Sequence, residues 1–564
     1  MDKLLLDTQV PFTVVKLLNV ESIWIHENIN DWLPNISTEM LPDTYGYVVP
    51  ETECLEHCSF SFNDNLIAYA ERYGGIGSAS NGGGARCGNF NGVQVKGLGQ
   101  SPVVGRDAER WHAHGNLALR VAVYEAIFSE VLCFLLPHGA AHCYGILGTG
   151  EETAYDTYFD DEEIIYARGA LMLREICSRP AHFIPAGGFS VHPKYKDITS
   201  SDVARLRLLY KSLPEQNLGT KGFVSYLGKY LACCANQFAC AKVNRIAHGA
   251  LSPSNLSMDG KWLDLPKINF MSLGHNYTSL TTHWAYSFYD EPHIAVDSIR
   301  EIIYAFNKYT NSNFNPSPLY SYFWSQFENC ILYHTGSVFG FSHHQIISLL
   351  ENDEYKNLSK SYVSLLNSGK EILQGDPDDN KYKDLMPLYL EHVFSNPLSS
   401  HENMQFSISQ NHMEKILHTL TNGLPTPKPT VTSVILRALK RSYLHNFFYR
   451  ARISKIGDDI TMSKTSKDIS DFIQSTIDTA RWIYASGNKN VIIFQNKTEK
   501  LIYSPCLDAY EFHEIVGCTS FKNEKDLLKH IENTNHINFI IYDYDFKPYV
   551  VRLISYLENL KFKC

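Results

Sequence analysis

No stretch of this chain approaches the roughly 20 consecutive apolar residues that a membrane-spanning helix needs. The N-terminal MDKLLLDTQVPFTVVKLLNV lacks the layout of a signal peptide, because Asp7 and Pro11 interrupt its apolar run. Basic charge is also in short supply. Against 60 Asp and Glu stand 50 Lys and Arg, a formal net charge of −10, so the cationic surplus that non-specific nucleic-acid binding draws on is missing. Internal repeats and long low-complexity tracts are absent. The 13 cysteines are odd in number and scattered through a long chain, with no small disulfide framework. CLEHC (Cys54, His57, Cys58) and CCANQFAC (Cys233, Cys234, Cys240) lack the paired-knuckle spacing of a structural zinc site and read as buried thiols. These absences predict a reduced, cytoplasmic protein with no membrane insertion and no nucleic-acid partner.

What is present is ordinary globular composition, 44% hydrophobic and 20% charged over 564 residues. That is ample apolar material for a core and length for several domain-sized units. Residues 1–65 read as an N-terminal extension with short strands and a helix or two. Segment 72–102, RYGGIGSASNGGGARCGNFNGVQVKGLGQSP, contains ten glycines and closes on the alternating pattern of a strand. NLALRVAVYEAIFSEVLCFLLP (116–137) predicts a long helix ended by Pro137, apolar nearly all round and therefore buried. Its Arg120 and Glu125 then need partners. AHCYGILGTG and EEIIYARGALMLRE read as strands, the second carrying Arg168 and Arg174. From about 202 the apolar spacing becomes helical. NGLPTPKPTVTS reads as a linker over 426–433, and 434–564 as a small α/β module.

Three pieces carry chemistry. Glycines such as Gly82, Gly83 and Gly84 let backbone N–H groups approach phosphate oxygens, although the segment matches neither the Rossmann nor the Walker A pattern. Lys96 on the strand behind that loop, with Glu125 on the following helix, is the order in which kinases hold phosphates. In HGALSPSNLSMDGKWLDL (248–265), Asn255 and Asp264 are hard oxygen ligands suited to Mg²⁺. SPSN and MDGK are equally good turn sequences, and a surface Lys with a satisfied core Glu is the bland alternative. SHHQ (342–345) and Cys506 read as surface histidines and a buried thiol.

In order and wording these pieces resemble the selenoprotein O (SelO) family of kinase-fold protein adenylyltransferases. QVKGLGQSP is similar to that family's LKGAGQTP, LRVAVYEAIFSE to its LRSSIREFLCSE, and AHGALSPSNLSMDGKWLDL to its AHGVMNTDNMSILGLTLD. The resemblance covers roughly residues 65–270. It implies an α+β, protein-kinase-like two-lobed core: an N-lobe over 66–200 and a mostly helical C-lobe over 201–425. It also implies ATP and Mg²⁺ as cofactors, Lys96 on the nucleotide phosphates, Glu125 as its ion-pair partner, and Asn255 and Asp264 on the metal. Arg174 and Arg179 stand for the arginines that hold the nucleotide flipped, at shorter spacing than in the family, and Arg86 for one in the glycine-rich segment.

The departure is Ser254, where the family has its catalytic Asp, and Ser252, where it has Asn. The wording RGALMLREICSRPAHF and NGGGARCGN, over most of the chain, resembles MchC/MceJ-type proteins of siderophore-microcin gene clusters. Those proteins work with an acyltransferase-like partner to join the C-terminal carboxylate of a microcin precursor peptide to a glycosylated catecholate siderophore. A hydroxyl nucleophile needs a positioned base; a peptide carboxylate, with a reference pKa of about 3.3–3.7, does not. Ser254 therefore predicts ATP-dependent activation of a carboxylate. The rivals are transfer to a hydroxyl with another base, such as His248, a non-catalytic scaffold for the partner, and a plain nucleotide-binding regulator.

Overall fold

The computed structural model describes residues 3–156, 165–214, 219–278, 288–373, 384–395, 404–484, 489–515, 517–534 and 538–560. The chain is of mixed α+β class. Its N-terminal part is built on an eight-stranded sheet: β1 Val10–Leu17, β2 Glu21–Ile25, β3 Tyr47–Val48, β4 Phe60–Ala70, β5 Cys87–Phe90, β6 Val93–Lys96, β7 Cys143–Tyr155 and β8 Tyr166–Arg174. Their order across the sheet is β2-β7-β8-β6-β5-β4-β1-β3, and every neighbouring pair is antiparallel. The strand expected from EEIIYARGALMLRE is β8; residues 162–164 of that stretch lie outside the described residues.

The alternation of side chains along a strand divides this sheet into two chemically different faces. Val93, Val95, Leu171 and Leu173 point into a compact core completed by Val14, Leu41, Tyr45 and Val48. The described part of the expected N-terminal extension, residues 3–65, belongs to this sheet. They supply β1 to β3, cover one face of the sheet, and the expected boundary at 65 falls inside β4. The opposite face carries Gln94, Lys96, Met172 and Arg174, with Gln94 opposite Arg174 and Lys96 opposite Met172.

Against that second face lies the helix Leu119–Leu135, in which Val121 through Leu132 are all buried. Leu136 is already extended (φ −101°, ψ 145°), as the steric demand of the following proline requires. Arg120 finds Asp156 and Asp458, and Glu125 finds Lys96.

From residue 202 onward the chain is mainly helical. The long helix Thr220–Val243 packs on Ser317–Val338 and delivers the chain to the short strand Ile246–Ala247 just before His248. The proline stretch does not act as a linker. Pro427 caps a helix that runs Lys428–Tyr443, proline being well tolerated where the first turn's N–H groups lack partners. Beyond it, the helix Ser466–Tyr484 packs on Leu119–Leu135 and on β2. An antiparallel meander follows: β9 Val491–Gln495, β10 Lys500–Ser504, β11 Ala509–Glu514 and β12 Gly517–Phe521. Its buried residues join the same continuous core as the central helix, so no boundary at 434 separates this part. Among the described residues no helix is long and apolar enough to cross a membrane.

Candidate active site

β6 ends on Lys96, and the pairing of β6 with β8 sets Gln94 beside Arg174. The buried Lys96 ammonium donates to both Glu125 oxygens (2.5 and 2.9 Å) and to Asp264 Oδ1 (2.5 Å). Arg174 Nη1 donates to the same Asp264 oxygen at 2.9 Å and lies 4.0 Å from Glu125 Oε2. Arg179 Nη1 stands 3.7 Å from Asp264 Oδ2 and donates to the Ser254 carbonyl at 2.7 Å. One glutamine amide ties the two arginines together: Gln94 Oε1 accepts from Arg174 Nε (2.8 Å) and from Arg179 Nη2 (3.0 Å). Five of the residues expected at the site, Lys96, Glu125, Arg174, Arg179 and Asp264, therefore form one ionic cluster, despite the short spacing of the two arginines.

Asp264 sits at its centre. Burial would push its carboxyl up, but Arg174, Lys96 and Arg179 override this and hold it well below the usual carboxylate range. Its backbone is left-handed, with φ +53°, a conformation that costs a non-glycine residue roughly 1–2 kcal/mol. A hairpin imposes it. Leu256 bridges Trp262 and the Leu263 N–H donates to the Asn255 carbonyl at 2.9 Å, so Asn255 and Asp264 flank the ends of the SMDGKW turn. The Asn255 amide nitrogen donates to the Ala250 carbonyl (2.7 Å), and its oxygen accepts from the Ser254 hydroxyl at 3.4 Å. An amide oxygen and a carboxylate are both donors that a hard divalent cation takes.

Ser254 is buried, with its hydroxyl 2.8 Å from that of Ser252. The glycine-rich loop lies directly over this pair. Gly77 has φ +95°, and a Cβ there would sit 2.4 Å from Ser252 Cβ. Only glycine fits so close an approach. The other expected glycines behave differently. Gly82 N–H donates to the Val103 carbonyl and Gly84 N–H to the Glu71 carbonyl, while a Cβ on Gly83 would fall 1.9 Å from Glu71 O. Gly82 and Gly84 cannot cradle phosphate with donors already spent, and Gly83 serves close packing. Arg86 is half-buried and its carbonyl accepts from Gly97 N–H, next to Lys96.

His248 is not a base in waiting. Its Nε2 lies 2.9 Å from the Leu263 carbonyl, its Nδ1 accepts from Ala250 N–H, and burial pushes its pKa down to about 4. Two groups that sequence reasoning missed support the site from behind. Glu291 is buried, and its two oxygens accept the N–H groups of His248 (3.1 Å) and Gly249 (2.9 Å). Burial lifts its carboxyl to about 8 even though those N–H groups pull it down. Glu71 is buried beside Arg179 and His182 (both 3.7 Å) and accepts from Asn89. Burial opposes its ionisation, but His182 and Arg179 bring it down to about 2. Neither lies in a patterned motif; Glu291 joins the site only by tertiary folding, 27 residues past Asp264 in the sequence.

Elsewhere, SHHQ forms a capping box in which Ser342 and Gln345 start the helix His343–Leu349. Cys506 is exposed, not buried as expected. Cys54, Cys234 and Cys240 are buried thiols, whereas Cys58 and Cys233 are half-buried.

No protein-family model matches this chain, and no curated protein matches it either.

Proposed function

We propose that this is a SelO-like enzyme of kinase-like fold that uses ATP and Mg²⁺ to adenylylate the C-terminal carboxylate of a microcin-type precursor peptide. An acyltransferase-like partner then carries the acyl group to a glycosylated catecholate siderophore. The observation that supports it most is the convergence of Lys96, Glu125, Arg174, Arg179 and Asp264 with a neutral Ser254 beside them. In the reaction a peptide carboxylate oxygen attacks the α-phosphorus of ATP and pyrophosphate leaves. Lys96, Arg174 and Arg179 would neutralise charge on the phosphates, and Asn255 and Asp264 would hold Mg²⁺, which would supply further neutralisation.

Ser254 suits an anionic nucleophile. An Asp in its place would repel the incoming carboxylate by about 4 kcal/mol for two charges about 4 Å apart at an effective dielectric near 20. With His248 committed to the Leu263 carbonyl, transfer to a hydroxyl has lost the alternative base the sequence offered.

A second reading is a non-catalytic scaffold for the partner. Asp264 is clasped by three cations, and Gly77 rests on Ser252. A nucleotide would have to displace both arrangements.

Purified protein with ATP, Mg²⁺ and a candidate peptide, with and without the partner, separates the two. Peptide-dependent AMP and pyrophosphate, abolished in Lys96→Met and Asp264→Ala variants that still unfold cooperatively, is the expected result. ADP instead of AMP would mean phosphoryl transfer. Ligation by the pair of proteins with no nucleotide consumed would mean a scaffold.

A further inference from the structure

A different cluster, where the central helix meets the start of β7, has the chemistry of a softer metal. Glu130 and Cys133 stand three apart on the helix Leu119–Leu135, hence on one face of it. His142 approaches from the segment entering β7. One oxygen of Glu130, the Cys133 sulfur and one ring nitrogen of His142 all lie within 4.8 Å of one another. His142 Nδ1 is 3.4 Å from Glu130 Oε1 and 3.9 Å from Cys133 Sγ. A single ring nitrogen thus faces a carboxylate and a thiol at once, at separations too long for a strong hydrogen bond to either. They are close to the edges of a tetrahedron around an ion with metal–sulfur bonds of about 2.3 Å and metal–nitrogen or metal–oxygen bonds of about 2.0–2.2 Å.

We propose that Glu130, Cys133 and His142 form a binding site for a zinc-class divalent cation, with water as the fourth ligand. The groups behind the ligands are those a metal site requires. His26 Nδ1 accepts the Asn28 N–H at 2.9 Å, so its proton resides on Nε2, which donates to Glu130 Oε2 at 3.1 Å. Cys143 N–H donates to Glu130 Oε1 at 3.2 Å. The carboxylate is therefore oriented from behind and is itself buried, its side chain 4% exposed. Trp32 packs tilted against both His26 and His142, with ring centroids 4.5 and 4.6 Å apart, and shields one flank. His142 is 32% exposed, which provides entry for the ion and room for the water. Thiolate and imidazole select a borderline-soft ion over Mg²⁺, whereas Asn255 and Asp264 offer only oxygen. The two sites should thus not compete for one metal. Glu130 lies five residues past Glu125, so a bound ion would pin the helix that positions Glu125 to the start of β7.

The test uses the full-length protein, stripped with a chelator and titrated with Co²⁺, whose thiolate charge-transfer band and tetrahedral ligand-field bands report the ligands directly. One equivalent of Co²⁺ with a thiolate band is expected, displaced by Zn²⁺ and lost in Cys133→Ser. The same band should survive in Cys518→Ser. That variant is the internal control, because Glu511, His513 and Cys518 form a second cluster of the same composition on an exposed strand face. Should Cys133→Ser fail to fold, His142→Gln is read in its place, and Zn²⁺ should raise the melting temperature of the unmodified protein but not of that variant. Absence of a thiolate band, or a band that persists in Cys133→Ser or disappears in Cys518→Ser, overturns the proposal.

Discussion

Asp264→Asn would leave Lys96, Arg174 and Arg179 facing each other with one carboxylate fewer to balance them. Uncompensating a buried ionic cluster costs about 3–5 kcal/mol, and urea denaturation of the variant should register a loss of that order. The pH dependence follows from the same contacts. The folded-state pKa of Asp264 is depressed, so its stabilisation is complete above the unfolded value of about 3.9 and is lost as pH falls through the lower folded value. Glu291 has the opposite sign. Its carboxyl is lifted to about 8, so folding loses stability as pH rises from an unfolded value of about 4.3 toward 8. Glu291→Gln should flatten the profile across that window, while Asp264→Asn flattens only the acid limb. A profile between pH 5 and 8 unchanged by Glu291→Gln would mean that the buried carboxylate stays ionised throughout. Of these two acids the sequence pointed only to Asp264, because it stands at a set distance from Asn255 inside one motif. Glu291 has no such neighbour.

At the scale of elements, the glycine loop and the central helix make the site. In Gly77→Ala the left-handed backbone alone costs about 1–2 kcal/mol, and the new methyl also collides with Ser252. Adding Ser252→Gly should recover the collision but not the backbone cost. This partial rescue in the double variant, measured by chemical denaturation, is the signature of loop and turn in contact. Full additivity would show that they are apart. In the central helix, Ile127 is completely buried, and Ile127→Ala should cost about 2–5 kcal/mol. That helix was legible in the sequence because thirteen of its residues are buried and ten of these are apolar, and because Pro137 marks its end. The glycines were legible only as a loop. Which N–H groups remain free depends on Val103 and Glu71, residues that nothing local connects to them.

For the molecule as a whole, the central helix is covered by sheet on one side and by the helix Ser466–Tyr484 on another. A chain terminated at residue 464 would uncover buried apolar surface, and its cooperative calorimetric transition should vanish rather than shift. A truncated chain that keeps the full-length transition would mean that the C-terminal part is a separate module after all. The expected divisions at 65 and at 426–433 do not fall between elements, and for one reason. Composition reveals where proline and glycine interrupt a pattern, but not whether the flanking elements share a core. Here β4 crosses the first boundary, and a helix begins inside the second.

The sequence by itself determined the mixed class of the chain, the buried central helix, the strands around Lys96 and Arg174, and the ionic residues of the candidate site. The elements follow from short-range periodicity and turn chemistry, and the roles of the ionic residues, Arg174 and Arg179 above all, from the resemblance to the SelO family. Only the tertiary structure decided that Asp264 is clasped by three cations, that His248 is committed to the Leu263 carbonyl, that Glu291 braces the loop, and that Glu130, Cys133 and His142 converge. Each depends on pairs of residues brought together by strand register and helix packing, and such distances are set by the folded core rather than by neighbours along the chain.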